Sequence, residues 1–349
     1  MIVRALASIL ALATFFASST ADQGGPDVSF AAQASVPAQW WRCTGHLRAR
    51  DGRRFDFTLA IFRYGGFVSD ERARTANRWA GGTTFSATLG IVDESQRTFV
   101  QDERRERALG IASAAADRLA IRIADWTLAA NARAANAPVT LRAGTDSVKL
   151  DLRLLPTKPA FAFADGEVDR PSLRARGTLV VDRRRVDVRG DAWLDTTFGT
   201  RARAAGAIGW NRYCIELDDG RAMLYETERR SDGTSLRVRA TLVGRAGEVG
   251  PLPLPGGSLG PGVATKARAG WRSLRTGARY PNIWSLNLPS LDMQISLEPV
   301  LYEQEIVAHG GVPFWSGAVE IYDVRPGSDG LRLGRGYVEL TGYAPPVAL

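Results

Sequence analysis

Apolar and polar residues alternate with a period of two along most of this 349-residue chain, for example over 55–59, 150–154, 236–240 and 294–297. This alternation is typical of half-buried β-strands, because successive side chains of a strand point to opposite faces of the sheet. Turn signals separate the segments, among them Asp-Gly pairs that begin at positions 51, 219, 232 and 329. Many short antiparallel strands at such spacing predict an all-β barrel or sandwich.

Three stretches predict particular local structures. Residues 103–116 are rich in Ala, Glu and Arg, which favour helices, and we expect one short helix there. Residues 178–188 predict a hairpin with its turn at 182–185. Residues 251–261 are dense in Pro and Gly and predict a long loop.

The first 21 residues predict a signal peptide. Arg4 supplies a positive charge, the apolar run 5–17 follows, and small residues lead to a cleavage site before Asp22. The run is shorter than the ~20 residues that a spanning helix needs. An uncleaved signal acting as a membrane anchor is the alternative. We therefore expect a periplasmic or secreted protein.

The length of the remaining chain exceeds the usual size of one hydrophobic core, which predicts two domains. Residues 22–36 are small and polar and predict a disordered lead-in. We expect an N-terminal barrel over 37–203 and a C-terminal barrel over 204–345.

Basic residues outnumber acidic ones by 45 to 37, a net charge of +8, and all but three of the basic residues are arginines. The arginines are scattered through strand-like segments, which indicates a solvated sheet face and argues against a nucleic-acid partner. The positive charge leaves open a peripheral association with an anionic membrane surface.

Cys43 and Cys214 are the only cysteines, and the residues leave two readings open: a disulfide that ties the halves together, or two buried free thiols. His46 and His309, the only histidines, do not stand at zinc-ligand spacing from a cysteine. The chain has no phosphate-binding or His-Glu-x-x-His motif. We expect neither a cofactor nor a metal.

Several motifs resemble the carotenoid hydratase family and its secreted AttH-type relatives, in the family's order along most of the chain. They are Trp40-Trp41-Arg42-Cys43-Thr44-Gly45-His46-Leu47, Arg107-Ala108-Leu109-Gly110, Gly190-Asp191-Ala192-Trp193-Leu194-Asp195, Gly209-Trp210, Leu217-Asp218-Asp219-Gly220-Arg221, Trp271-Arg272-Ser273 and Gly334-Arg335-Gly336-Tyr337-Val338-Glu339. The resemblance implies two tandem lipocalin-like antiparallel β-barrels and an apolar or terpenoid-like ligand.

The sequence departs from the family after Asp195. Where the family has His and Trp, this chain has Thr196 and Phe198. The hydratases' Tyr is matched by Tyr225, but Thr227 stands where their Asp would be. Alkene hydration needs an acid that protonates the double bond and a group that activates water. The resemblance therefore leaves open whether a hydratase, isomerase or cyclase activity is present.

Four residues are candidates for catalysis, three of them with a structural alternative. Asp195 is a general acid if its strand face is interior, and otherwise caps a turn or meets an arginine. Glu339 either pairs with Asp195 in acid–base chemistry or holds an arginine across the barrel. His46 is a general base if it points into the first barrel, and otherwise a hydrogen-bonded structural residue. Tyr225 is carried over from the resemblance.

Aromatic side chains are candidates for the walls of an apolar pocket, although tryptophans also plug barrel ends. The candidates are Trp41, Trp126, Trp193, Trp210, Trp284 and Tyr337. The leading hypothesis is a monomeric protein that binds an apolar small molecule and acts on it by acid catalysis. The rival hypothesis is a carrier of hydrophobic ligands without chemistry, associated with an export system.

Overall fold

The structure is a computed structural model that describes residues 28–33, 35–65, 82–134, 136–145, 147–163, 166–198, 206–252, 266–308 and 311–345. The predicted signal peptide, His309 and most of the predicted loop at 251–261 lie outside the described residues.

The first sheet is entirely antiparallel and contains twelve strands within the described residues. They are β1 Ala38–Ala49, β2 Arg54–Tyr64, β3 Thr84–Asp93, β4 Thr98–Arg107, β5 Ala112–Ala114, β6 Ala120–Ile123, β7 Trp126–Ala130, β8 Val139–Gly144, β9 Lys149–Pro156, β10 Phe161–Ala162, β11 Val168–Val181 and β12 Arg184–Phe198.

The second sheet is also antiparallel and contains ten strands within the described residues. They are β13 Gly209–Leu217, β14 Ala222–Arg229, β15 Ser235–Val243, β16 Val249–Pro251, β17 Lys266–Arg272, β18 Arg279–Leu288, β19 Met293–Pro299, β20 Glu305–Ile306, β21 Phe314–Asp323 and β22 Arg332–Leu340. Among the described residues, the 3₁₀ turn Pro289–Leu291 is the only helical segment.

In each half the first and last strands are neighbours. β1 pairs with both β2 and β12, and β13 pairs with both β14 and β22. Each sheet curls around its own apolar core, so the prediction of an all-β fold with two tandem lipocalin-like barrels is confirmed. We call them the first and second barrels. The predicted boundary at 203/204 falls between the end of β12 and the start of β13.

Strand alternation determines which side chains meet between the barrels. On β1 the odd-numbered Trp41 and Cys43 belong to the core of the first barrel, so the even-numbered Arg42 lies on the opposite face. On β13, Tyr213 and Ile215 belong to the core of the second barrel, and Arg212 takes the opposite face. These outward faces meet, as hydrogen bonds between the two halves show. We call this region the inter-barrel interface.

The predicted helix at 103–116 is wrong. Residues 103–107 complete β4, which pairs with β3, and residues 112–114 form β5, which pairs with β6. Helix-favouring residues adopt strand here because pairing with a neighbouring strand outweighs the small differences in intrinsic propensity.

Part of the predicted disordered lead-in is ordered. Phe30, Ala31 and Ala32 are buried. The indole N–H of Trp41 donates to the Phe30 carbonyl at 2.8 Å, and the Ala32 N–H donates to Ala115 O at 2.8 Å. The low hydrophobicity of residues 22–36 concealed one short apolar segment that packs against the first barrel.

Among the described residues, no helix has the length and apolar character that a membrane span requires.

Candidate functional site between the two barrels

The inter-barrel interface contains buried arginines and carboxylates. β1 contributes Arg42, β12 contributes Asp195, β13 contributes Arg212 and β22 contributes Glu339, all at most 7% exposed. The register of β1 and β12 places Arg42 directly opposite Asp195, and the register of β13 and β22 places Arg212 opposite Glu339. Charges in such a position require partners, because burying an unpaired ion is costly.

Arg42 joins the two barrels. Its Nε donates to Asp195 Oδ1 at 3.0 Å and its Nη2 to the same oxygen at 2.8 Å, while Nη1 donates to Glu339 Oε1. Trp210 Nε1 donates to the same Glu339 oxygen at 2.8 Å. The structure therefore brings Asp195 and Glu339 together around an arginine that serves as counter-ion to both.

Arg212 is the centre of a second group of ions. Its guanidinium donates to Glu167 Oε1, to Asp169 Oδ1 and to Glu226 Oε2, the last at 3.0 Å. Arg239 also donates to Glu167 and Glu226. This cluster is continuous with the first, because Arg212 Nη2 lies 4.0 Å from Asp195 Oδ2.

Asp169 differs from the other carboxylates of this cluster. It is fully buried, and its Oδ2 has no hydrogen-bond partner among the described residues. Burial, reinforced by the nearby Glu167 and Asp195, raises the pKa of Asp169 to about 7 despite Arg212 and a 2.8 Å bond from the Trp193 indole. A carboxyl with this pKa can hold and release a proton near neutral pH.

The sequence analysis missed Asp169. Its signal was the spacing of Glu167 and Asp169, two positions apart where β11 begins, which puts two acids on one face of a strand. Only the tertiary fold places that face opposite Arg212.

Aromatic rings form one margin of the interface. Trp40 and Trp210 stack with 6.0 Å between ring centroids and 1° between planes. Phe62 packs against Trp40 at 6.3 Å and edge-on against Phe314 at 6.2 Å. Trp40, Trp210 and Phe62 are only half-buried. We call these four residues the aromatic rim; both barrels contribute to it.

His46 points towards the second barrel rather than into the first. Its Nδ1 lies 2.8 Å from Asp56 Oδ1, and its ring packs on Tyr337 at 5.0 Å. Burial, together with the charge of Arg335, lowers the pKa of His46 well below its usual value. Tyr337 in turn donates to the carbonyl of Gly45 at 3.1 Å. The surroundings of His46 are therefore those of a hydrogen-bonded structural residue, the alternative to a general base that points into the first barrel.

Tyr225 lies on the opposite face of its strand from the interface. It packs in the core of the second barrel, 5.6 Å from the ring of Tyr213, whereas its neighbour Glu226 faces Arg212. Tyr225 therefore does not join Asp195 and Glu339, because strand alternation separates it from the two acids.

The six aromatic candidates occupy three regions. Trp193, Trp210 and Tyr337 lie at the inter-barrel interface. Trp41 and Trp126 fill the first barrel and donate to the Phe30 and Gly144 carbonyls. Trp284 lies inside the second barrel.

Both cysteines are free and buried, so the free-thiol alternative describes the structure. Burial raises the pKa of each thiol well above its usual value. In the described part of the chain, no cluster of three or more His, Cys, Asp or Glu side chains is placed to hold a metal ion.

Fold and interface together define a tandem β-barrel protein whose two barrels enclose an arginine–carboxylate network. The model of the AttH-like family matches residues 27–343 of this chain. The chain belongs to the AttH-like family, as the sequence motifs predicted.

Two solved structures share the fold. An AttH protein from Nitrosomonas europaea is 23% identical, with a TM-score of 0.74 over 90% of this chain and 95% of its own. Kievitone hydratase from Nectria haematococca is 15% identical, with a TM-score of 0.64 over 91% of this chain and 97% of its own. A comparison with curated proteins finds no match.

Proposed function

We propose that this protein binds an apolar small molecule at the inter-barrel interface, against the aromatic rim. The observation that carries this proposal is a half-buried aromatic surface to which both barrels contribute, directly in front of buried ions. Trp210 belongs to both, since its ring stacks on Trp40 and its N–H binds Glu339. Concave apolar surfaces with a few fixed polar groups are the usual form of small-molecule sites.

The rim suits an apolar ligand for a physical reason. Partly exposed tryptophan faces gain free energy when an apolar molecule displaces water from them. The polar groups behind the rim are held by Arg42 and Arg212, so they can orient a ligand without moving.

Binding can be tested with the neutral fluorophore N-phenyl-1-naphthylamine, whose emission rises in apolar surroundings. We expect saturable binding to the full chain and a loss of affinity of about tenfold in Trp40→Ala, equivalent to about 1.4 kcal/mol. Tyr302→Ala is the matched control, because Tyr302 is 44% exposed and lies outside the rim. Equal affinity in both variants would contradict the proposal.

Asp169 favours a second candidate function, acid-catalysed hydration, isomerisation or cyclisation of an alkene. Its carboxyl would donate a proton to one alkene carbon, and in hydration water would add to the resulting cation and return a proton to the carboxylate. Asp195 suits this role less well than the sequence suggested, because Arg42 donates to both of its oxygens, whereas Oδ2 of Asp169 has no partner among the described residues. Kievitone hydratase shares the fold, which keeps this reaction class in consideration.

The carboxyl proton of Asp169 exchanges with solvent. In D₂O, its transfer to an alkene carbon therefore leaves deuterium on that carbon. A compound co-purified with the protein would be incubated with it in D₂O and analysed by mass spectrometry. We expect deuterium on carbon with the wild type and none with Asp169→Asn. Incorporation by neither protein, with binding intact, would favour the alternative of a hydrophobic-ligand carrier associated with an export system.

We also propose a periplasmic or secreted location, supported by the apolar run and small residues of positions 1–21, and a monomer as the working form. Peripheral contact with a membrane is supported by the net charge of +8, and association with a transporter by the resemblance to AttH-type proteins.

A further inference from the structure

The core of the second barrel contains three buried polar atoms that have no hydrogen-bond partner among the described residues. They are Nε of Arg229, Oδ1 of Asn282 and Nε1 of Trp284, on side chains that are 7%, 4% and 1% exposed. Buried polar atoms in folded proteins nearly always have a partner, since leaving one unpaired costs stability. Three such atoms in one barrel indicate a site where a ligand supplies the missing hydrogen-bond partners.

Arg229 is the strongest of the three signals. Its Nη2 donates to the backbone carbonyls of Thr341 at 2.7 Å and Gly342 at 3.1 Å, and its guanidinium carbon lies 3.8 Å from the ring centroid of Tyr343. No carboxylate of the described residues forms an ion pair with it, whereas the buried Arg42 and Arg212 each pair with at least two. A buried guanidinium without a carboxylate partner is a group that an anionic ligand would neutralise.

Aromatic rings connect Arg229 to the other two residues. Tyr343 packs on Tyr280 at 5.4 Å, and Tyr280 precedes Asn282 and Trp284 on the same inward face of β18. Trp284 then packs against Trp315 at 5.8 Å and edge-on against Tyr213 at 5.9 Å. Such walls favour a planar ligand, because rings stack or meet edge-on at these separations.

The backbone is strained at the same place. Ile283, between Asn282 and Trp284, has a φ of 54°, in the left-handed region that a β-branched residue rarely adopts. Strain of this kind persists where surrounding structure enforces it and concentrates at binding sites.

We propose that the second barrel binds a planar aromatic carboxylate. The carboxylate pairs with Arg229, the ring system lies among the tyrosines and tryptophans, and polar substituents meet Asn282 and the Trp284 N–H. This site goes beyond the proposed function, because it lies on the opposite face of the second sheet from the inter-barrel interface and selects an anion.

The test is isothermal titration calorimetry of the full chain with 2-naphthoate and with its neutral analogue 2-naphthalenemethanol. We expect naphthoate to bind at least tenfold more tightly than the alcohol, since bonds to a charged group are the stronger kind. Arg229→Gln should weaken naphthoate binding about tenfold or more and leave the alcohol unaffected. Trp284→Phe, which keeps an aromatic ring, should weaken naphthoate binding about threefold.

Two controls locate the effect. Arg245→Gln removes the same charge at an exposed position whose ion-pair partner among the described residues is Asp219. Trp40→Ala alters the aromatic rim. Both should leave naphthoate affinity unchanged, so failure of this site and failure of the inter-barrel site are distinguishable. Thermal melting checks that each variant is folded. If Arg229→Gln does not fold, the proposal is tested by the comparison of naphthoate with the alcohol and by the Trp284→Phe variant.

The proposal is overturned if naphthoate does not bind, if it binds no better than the alcohol, or if Trp40→Ala rather than Arg229→Gln abolishes binding. It is equally overturned if laurate, an aliphatic carboxylate, binds more tightly than naphthoate, because the aromatic walls would then not select the ligand.

Discussion

Arg42 joins the two barrels through one buried guanidinium. Its guanidinium contacts Asp195 beside it in the first barrel and Glu339 in the second. A buried ion pair adds little net stability over an apolar pair of equal volume, but removing one partner leaves an uncompensated buried charge. Arg42 therefore matters to stability chiefly because its removal would leave two buried carboxylates without a counter-ion.

We expect Arg42→Met to lower the free energy of unfolding by about 3–5 kcal/mol, because two buried carboxylates lose their counter-ion. Urea denaturation at pH 7 measures the change. The control is Arg50→Met, which removes an arginine from an exposed pair with Asp187 and should change stability by no more than about 0.5 kcal/mol. A loss below about 1 kcal/mol in Arg42→Met would contradict this assignment.

At the scale of elements, the hairpin of β11 and β12 shows how turn geometry sets register. The sequence predicted its turn at 182–185, but Val181 pairs with Arg184, so the loop is only Asp182 and Arg183. Both have positive φ, 50° and 60°. This combination is the type I′ turn, which matches the twist of the flanking strands and favours Asn or Asp followed by Gly.

Arg183→Gly should raise the free energy of unfolding by about 0.5–1 kcal/mol, because glycine adopts positive φ without steric cost. Arg185→Gly, two positions further on in a regular strand, should instead lower it by a similar amount. Thermal melting of the two variants beside the wild type tests the pair. Melting temperatures that shift in the same direction would rule out this explanation of the turn.

At the scale of the whole molecule, the inter-barrel interface combines ionic contacts with carboxyls of altered pKa. Glu216 of the second barrel accepts hydrogen bonds from Ser172 of the first, from its N–H at 2.7 Å and its hydroxyl at 2.9 Å. Burial, with the charge of Asp191, raises the pKa of Glu216 from 4.5 to about 7. The docking of the barrels is therefore linked to pH.

Because the folded-state pKa of Glu216 exceeds the unfolded value, folded molecules bind more protons between pH 4.5 and about 7. The contribution of Glu216 to stability is complete below pH 4.5 and is lost as the pH rises through about 7. We expect Glu216→Gln to gain stability relative to the wild type over that range, measured by urea denaturation at pH 5, 6, 7 and 8. The exposed Asp151→Asn is the control, and a difference that does not vary with pH would contradict the linkage.

The period-two alternation was enough to predict an all-β fold, because burying one face of a strand imposes that pattern locally. The motifs of the AttH-like family predicted tandem barrels, and the partnership of Glu339 with an arginine was among the alternatives. Local composition failed at 103–116, where helix-favouring residues form β4 and β5 because strand pairing outweighs propensity.

Alternation alone did not reveal which face of a strand is the interior of a barrel and which meets the other barrel. That distinction depends on how the two sheets curl and dock. Both depend on contacts between residues far apart in the chain. The curling and docking of the two sheets place Tyr225 away from Asp195, turn His46 towards the second barrel, and bring Asp169 to Arg212. The strands were thus predictable from neighbouring residues, whereas the sites arise from the packing of one barrel on the other and from the closure of the second barrel.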